Sequence, residues 1–280
     1  MENSFVHPYM PNSVPENKKA MLDEFGINSV EDIYKSIIPD ELLYKERLDI
    51  PEPIRSEYEL KRHVMGILNR DITTEEYTSF LGAGCYKHQV PAICDEINSR
   101  GEFLTAYCGD TYSDHGKMQA IFEYTSMMGE LLDTDVVSYT TYDGGQAVAS
   151  SLRMAVRAVR EKGMAGKVIL VTKTMNPHIY SQVVQYCRNV AEVRKIAYEP
   201  ETGLMDLEEL KEQLAKKNVA AVFFENPTYL GNFETRGEEI AKLAHDAGAY
   251  CVVQTEVAAL GIMESPVNQG ADIVCGDIQP

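Results

Sequence analysis

The six cysteines of this 280-residue chain form no C-x-x-C pair and none of the paired cysteine and histidine spacings that hold a metal ion. We therefore expect no metal site, and we interpret Cys251 and Cys275, which lie inside apolar runs, as reduced core residues. No apolar run approaches the roughly 20 residues that cross a bilayer. The N-terminus lacks the basic start and apolar stretch of a signal peptide. These absences favour a cytoplasmic protein.

Positive charge is also scarce. The chain has 26 Lys and Arg residues and 43 Asp and Glu residues, which gives a formal net charge of −17. Such a charge repels nucleic acid and anionic membrane surfaces, so we expect neither as a partner. The hydrophobic fraction of 44% and the charged fraction of 25% are ordinary for a globular protein. A chain of this length can bury a sizeable core in one or two domains.

Residues 1–70 are predicted to form a helical arm. Short helices are predicted at residues 16–25 and 29–36, on either side of Gly26, and a longer one at residues 56–69. The segment is polar and prolines punctuate it. We therefore predict an arm that wraps a partner or the main domain and has no core of its own.

Residues 71–280 are predicted to form an α/β domain, because apolar strands alternate there with amphipathic helices. This pattern is typical of a mostly parallel sheet with helices on both faces, in which ligands bind at the carboxyl ends of the strands. Asp206 and Glu209 have the spacing of a helix capping box, and Gly248 stands where a helix-ending glycine is expected. The predicted helices are 115–132, 145–162, 179–187, 206–216 and 238–247, and the predicted strands are 136–141, 167–172, 192–197, 220–224, 249–253 and 272–275.

Residues 80–91 form the most informative local pattern. Two glycines, Gly82 and Gly84, permit a tight turn or a close approach, and Tyr86 and His88 follow within four residues. Such a loop can place proton-active side chains beside a ligand, although a surface turn with an incidental histidine fits the residues equally well. A dinucleotide-binding loop is disfavoured, because Lys87 stands where the third glycine of G-x-G-x-x-G would be.

The same loop resembles the F-L-G-A-G-x-Y-x-H-x-x-P segment of the glycine cleavage P-protein family, in particular the alpha subunit of its two-chain form. The resemblance implies an α/β fold of the fold type I pyridoxal phosphate (PLP) class. It implies that glycine is decarboxylated with PLP and that the aminomethyl group passes to the lipoyl arm of the H-protein. Further segments match in the family's order between about Tyr9 and the last residue, namely 102–107, 119–124, 142–144, 243–249 and 270–274.

The resemblance also implies cofactor contacts. Gly144 and Gly145 open a helix at the phosphate position of this fold, although Gln146 stands where the family usually carries a small hydroxyl residue. Asn226 follows a predicted strand at the ligand-facing rim. Glu256 follows the next strand, where a carboxylate pairs with the pyridinium nitrogen in this fold. From the residues alone, an ordinary turn at Asn226 and a solvated surface carboxylate at Glu256 fit as well.

The lysine that holds PLP is expected near the end of the chain. When residues 271–274 are aligned with the family, Gln279 and Pro280 stand in place of its His-Lys pair. The resemblance therefore implies that a beta subunit holds PLP covalently, in an α2β2 assembly, and that this chain completes the site. Tyr86 and His88 are the predicted catalytic residues, which would polarise the substrate or move protons. Because the family's alpha subunit continues beyond this point, we expect an incomplete sequence.

Two alternatives stay open. A self-sufficient PLP transferase or lyase of the same fold would use Lys173 or a lysine beyond the sequence given. A non-catalytic structural subunit would account for Gln146 and for Asn176, which stands where the family often has histidine. An ordinary turn is the favoured interpretation at Asn176, and the nearby His178 is out of register.

Overall fold

The computed structural model describes residues 6–46, 48–80, 89–103 and 115–278. Contacts divide the chain into two units, Met1–Thr78 and Ser79–Pro280. The predicted boundary after residue 70 falls near the end of the first unit, and it stays a prediction.

The N-terminal unit contains three α-helices among its described residues. α1 (Pro15–Phe25) begins with a proline, whose fixed φ suits a first helical turn, and ends at Gly26 with φ +67°. α2 (Glu31–Lys35) is short, and α3 (Glu57–Leu68) is capped by the hydroxyl of Ser56. The three helices confirm those predicted from the sequence. None of the residues described in this unit is buried.

The C-terminal unit alternates helices with strands, and its sheet has the order β2-β1-β3-β4-β5. Every neighbouring pair of strands is parallel, which confirms the predicted sheet type. In chain order the elements are α4 (Ala92–Asn98), α5 (His115–Leu132), α6 (Gly144–Glu161), β1 (Val168–Thr172), α7 (Pro177–Cys187), β2 (Glu192–Ile196), α8 (Leu207–Leu214), β3 (Val219–Asn226), α9 (Gly237–Asp246), β4 (Tyr250–Thr255) and β5 (Ile273–Cys275).

The sheet carries a buried core on each face. Alternate residues of β1 point to opposite faces, so that Leu170 packs with residues of α8 and α9 while Ile169 packs with residues of α6 and α7. All residues of β1 and of β3 are buried, as expected for strands that helices cover on both sides. The carboxyl ends of the strands therefore lie at one edge of a rigid, two-faced layer.

Helix ends follow the predicted chemistry with one difference. Asp206 accepts hydrogen bonds from the amides of Glu208 and Glu209, each at 3.0 Å, which confirms the N-terminal cap of α8. The Glu209 carboxylate does not close the reciprocal half of the capping box, because it accepts the amide hydrogen of Ala197 at 2.6 Å. Gly248 follows α9 with φ +77°, as predicted for a helix-ending glycine.

The strand predicted at residues 136–141 is wrong. This segment has no strand assignment and pairs with no strand among the described residues. Val136 is 83% exposed and Tyr139 is 51% exposed. β-branched and aromatic residues favour a strand only where they can pack beside a neighbouring strand, and this segment lacks that packing. The parallel sheet therefore begins at β1.

Candidate functional site

The carboxyl edge of the sheet gathers most of the predicted site residues that the structure describes. Asn226 is the last residue of β3, and Glu256 directly follows β4. Gly144 and Gly145 are the first two residues of α6, and both are buried. Tyr86 and His88, the predicted catalytic pair, lie outside the described residues.

Carboxylates of the chain itself occupy the N-terminus of α6. The Asp143 side chain caps the helix and accepts the amide hydrogen of Gln146 at 2.6 Å. The Gln146 side chain folds back, and its Oε1 accepts the amide hydrogen of Tyr142 at 2.9 Å. Asp277 packs against Gly144, since a Cβ built on that glycine would lie 3.5 Å from the Asp277 Oδ2. The helix N-terminus, which favours an anion, is therefore already neutralised from within the chain.

Gly145 is held equally closely. A Cβ on this glycine would overlap the side-chain amide of Gln182 on α7, so a larger residue here would require the flexible end of Gln182 to shift. Gln182 also donates from Nε2 to Asp143 Oδ2 at 3.5 Å. A phosphate placed at this helix end would meet the carboxylates of Asp143 and Asp277 and the side-chain amide of Gln182, which donates to Asp143. The residues present do not fit the phosphate group of PLP.

Asn226 uses its side chain inside the fold. It is 2% exposed, and its Nδ2 donates to the Glu234 carbonyl while its Oδ1 accepts the Glu234 amide hydrogen, both at 3.2 Å. The Asn226 carbonyl accepts a hydrogen bond from the Thr255 hydroxyl at 3.0 Å. The peptide bond to Pro227 is cis. A ligand would have to compete with these bonds for the amide, and the predicted cofactor role of Asn226 stays a prediction.

Glu256 lies at the carboxyl end of β4. It is half-buried and stands at the start of a short 3-10 helix, Val257–Gly261. Its carbonyl accepts the amide hydrogen of Ala259 at 3.0 Å. The position at a strand end agrees with the expected geometry, and pairing of its carboxylate with a cofactor nitrogen stays a prediction.

The loop between β1 and α7 contains Lys173 and Asn176. Lys173 is exposed, and its backbone amide donates to the Ile196 carbonyl at 2.8 Å. Asn176 caps α7, since its Oδ1 accepts the amide hydrogen of His178 at 2.9 Å. The Asn176 side chain and the His178 amide therefore form the N-cap hydrogen bond of α7. This structural role is in keeping with the ordinary-turn interpretation.

Glu225 is a residue at this edge that sequence reasoning missed. It is 4% exposed, and both carboxylate oxygens accept the amide hydrogen of Asn176 at 3.0 Å. Burial raises the pKa of Glu225 to about 7, against the lowering effect of hydrogen bonds from the Asn176 and Tyr229 amides. The signal in the sequence is an acidic residue directly before Asn-Pro, at the end of an apolar run. Because the predicted strand ends at residue 224, the prediction places Glu225 in a loop, whereas it belongs to β3.

Other polar groups lie near the carboxyl ends of β1 and β5. The hydroxyls of Thr172 and Thr174 share a hydrogen bond of 2.8 Å after β1. Burial raises the pKa of the Cys275 thiol to about 12, while a hydrogen bond with Ser151 lowers it and the Glu225 charge raises it further. Cys275 and Cys251 are free thiols. These groups are suited to hold loops in place, and a thiol with so high a pKa is not a nucleophile near neutral pH.

An open groove of about 690 Å³ lies elsewhere, between the outer face of α6 and the C-terminal end of α7. Its lining includes Arg153, Arg157 and Arg160 and none of the described site residues discussed above. Arg153 donates to the Tyr186 carbonyl at 2.9 Å, and Arg160 donates to the Val190 carbonyl at 2.6 Å. Two of the three guanidinium groups therefore serve to join α6 to the end of α7.

Two features are absent from the described part of the chain. No helix there is long and apolar enough to cross a membrane. No group of three or more His, Cys, Asp or Glu side chains there is arranged to hold a metal ion.

Comparison with known proteins gives consistent matches. The family model described as glycine cleavage system P-protein matches residues 7–280. The chain is 35% identical over 285 residues to the probable glycine dehydrogenase (decarboxylating) subunit 1 of Staphylothermus marinus, covering 98% of this chain and 58% of that protein. It is 38% identical over 271 residues to the protein of the same name from Pyrococcus horikoshii, covering 96% and 58%.

Solved structures agree with these matches. A crystal structure of glycine decarboxylase (P-protein) of the glycine cleavage system, in inhibitor-bound form, superposes with a TM-score of 0.78 at 30% identity, covering 98% of this chain and 58% of that one. A sphingosine-1-phosphate lyase from Burkholderia pseudomallei, at 14% identity and a TM-score of 0.51, shares the fold alone, over 75% of this chain and 49% of its own. The chain thus spans 58% of the length of the P-protein relatives described here. It belongs to the glycine cleavage system P-protein family.

Proposed function

We propose that the chain is a subunit of glycine decarboxylase, the P-protein of the glycine cleavage system, and that it acts with a second subunit. The observation that carries this proposal is the similarity along almost the whole chain to proteins named subunit 1 of glycine dehydrogenase (decarboxylating). In this role the assembly decarboxylates glycine and passes the aminomethyl group to the lipoyl group of the H-protein. The name "subunit 1" of the relatives supports a two-subunit enzyme, for which we propose an α2β2 stoichiometry.

The second subunit is proposed to hold the cofactor. PLP chemistry depends on a lysine, and this chain has Gln279 and Pro280 where the family's lysine segment would place one. The α6 N-terminus also carries Asp143 and Asp277 where a phosphate would need uncharged donors. When bound to the partner, PLP supplies the electron sink for decarboxylation.

This chain is proposed to supply one wall of the shared site. Its rigid contribution is the carboxyl edge of the sheet, where Asn226 fixes the loop after β3 and Glu256 follows β4. Tyr86 and His88 are proposed to face glycine and to polarise it or move protons. Tyrosine and histidine suit these tasks, because both donate hydrogen bonds and histidine titrates near neutral pH.

A purely structural subunit is the second candidate. The observation that favours it is again the α6 N-terminus, where Asp143, Gln146 and Asp277 leave no place for a phosphate. Such a subunit would stabilise the partner without touching the reacting glycine.

Reconstitution distinguishes the two candidates. The chain is co-expressed with the lysine-bearing subunit, and exchange of bicarbonate with the glycine carboxyl group is measured with H-protein present. The proposal predicts exchange by the complex and none by either chain alone, with a loss of at least about 100-fold for His88→Ala, the scale of a general acid–base contribution. A partner that is fully active alone would contradict the proposal. Full activity of His88→Ala and Tyr86→Phe complexes would favour the structural subunit.

A further inference from the structure

Glu225 links three parts of the carboxyl edge. It belongs to β3, and its two carboxylate oxygens accept the Asn176 amide hydrogen at the entrance of α7, both at 3.0 Å. It also accepts a hydrogen bond from the amide of Tyr229, in the loop after β3. One buried side chain therefore fixes the backbone of both loops that flank the candidate site on this part of the sheet.

The surroundings of Glu225 contain no compensating cation among the described residues. The groups that face it are the two amides and, from β5, the thiol of Cys275, whose hydrogen bond with Ser151 connects it to α6. No ion pair of Glu225 is found in the described part of the chain. The negative charge of Glu225 is stabilised by hydrogen bonds from backbone N–H groups and by the positive N-terminal end of α7.

Glu234 provides the contrast within the same fold. It is 3% exposed and also accepts a backbone amide hydrogen, from Met205 at 2.7 Å. Its carboxylate, however, pairs with the guanidinium of Arg236 at 3.4 Å. A buried carboxylate with a structural role is thus neutralised by an arginine here, whereas the carboxylate at the candidate site is not.

We propose that Glu225 is a positioning residue, whose carboxylate holds the loop after β1 and the loop after β3 in the arrangement that the active subunit requires. The proposal rests on the proposed function, because it assigns a task to the edge of the sheet that faces the shared site. Protonated Glu225 still accepts the amide hydrogens through its carbonyl oxygen. Because burial raises the pKa of Glu225 above its usual value, ionisation favours arrangements in which the carboxylate reaches water, and in those arrangements the loops have opened. The two loops are therefore held less firmly as the pH rises through neutrality.

The first test needs no activity. Hydrogen–deuterium exchange of the Asn176 and Tyr229 amides is measured on the full chain between pH 6 and pH 8.5 and corrected for the intrinsic exchange rate at each pH. The wild-type protein should lose roughly tenfold in protection at these two amides as the pH rises. The Glu225→Gln variant, which keeps one acceptor oxygen and cannot ionise, should show no such loss. The matched control Glu234→Gln should alter protection at Met205 and leave the pH dependence at Asn176 and Tyr229 as in the wild type.

The second test uses the complex with the lysine-bearing subunit. Glu225→Gln should lose the alkaline-side fall of the bicarbonate exchange rate, while Glu234→Gln should keep it. If the wild-type complex is inactive, the proposed function fails and the amide measurement still decides the role of Glu225. A Glu225→Gln protein with the wild-type pH dependence of amide protection would overturn the inference. An active Glu225→Gln complex with a uniform loss of rate at every pH would also overturn it, since that is the result of a merely structural role.

Discussion

The side-chain amide of Asn226 is hydrogen-bonded to both backbone groups of Glu234, at 3.2 Å each, and so closes the loop that follows β3. Both partners are buried. The bond pair joins the last residue of a central strand to the segment before α9, and it fixes the loop that begins with the cis peptide Asn226–Pro227. The carboxyl edge of the sheet is therefore built by side chains that bind backbone.

Asn226→Ala should lower the free energy of unfolding by about 2–3 kcal/mol, because two buried backbone groups of Glu234 lose their partners. Urea unfolding followed by circular dichroism measures this change. Asn268→Ala is the matched control, since its bond to Asp133 at 2.9 Å is exposed, and it should cost less than about 0.5 kcal/mol. Equal effects of the two substitutions would contradict the role given to Asn226.

Glu225 should make stability depend on pH. Burial raises the pKa of Glu225 from its usual 4.5 to about 7, so the folded state favours the protonated form. Its contribution to stability is fully present below pH 4.5 and is lost as the pH rises through 7. Between pH 6 and pH 8.5 the wild-type protein should lose on the order of 1 kcal/mol more stability than Glu225→Gln. The free energy of unfolding of both proteins is measured in urea at each pH. An equal change with pH in the two proteins would contradict this contribution of Glu225.

Asp143 should act on α6 through hydrogen bonding more than through charge. Asp143→Ala removes the acceptor for the Gln146 amide at 2.6 Å and should cost about 1 kcal/mol of stability. Asp143→Asn keeps an acceptor oxygen and should stay within about 0.5 kcal/mol of the wild type. Thermal unfolding of the three proteins gives the comparison. An Asn variant as unstable as the Ala variant would show that the charge is what the helix end requires.

Gly276 should tolerate no side chain. A Cβ built on it would overlap the carbonyl of Thr255 at the end of β4, so Gly276→Ala has to separate β5 from its neighbour. We expect a loss of about 2–4 kcal/mol in the free energy of unfolding, measured in urea. Gly261→Ala is the control, because a Cβ there meets nothing within 4 Å. If both variants unfold at the same urea concentration, the close approach of Gly276 and Thr255 is not a packing constraint.

Much of the fold follows from the sequence, because the spacing of apolar residues and the helix-capping residues are local signals. The helix predicted at residues 115–132 coincides with α5. The helix predicted at residues 179–187 begins two residues earlier in the structure, since Pro177 occupies the first turn and Asn176 caps it. The strand predicted at residues 136–141 was wrong, because β-branched and aromatic residues form a strand only beside a neighbouring strand. Whether such a neighbour is present depends on the tertiary structure.

The candidate site was less predictable for the same reason. Asn226 and Glu256 were found at the expected strand ends, because turn chemistry marks where strands stop. The contacts that define their environment join residues far apart in the chain. Glu225 binds an amide 49 residues earlier, and Asp277 packs on Gly144 from another element altogether. No local pattern encodes such pairings.

The location of the cofactor decides whether this chain or a second subunit holds PLP. The chain is purified together with the proposed lysine-bearing partner and with PLP, the complex is reduced with borohydride, and phosphopyridoxyl-lysine is located by peptide mass spectrometry. We expect the label on a lysine of the partner and on none in this chain, including Lys173. A stoichiometric label on this chain, purified alone and decarboxylating glycine without a partner, would contradict this expectation.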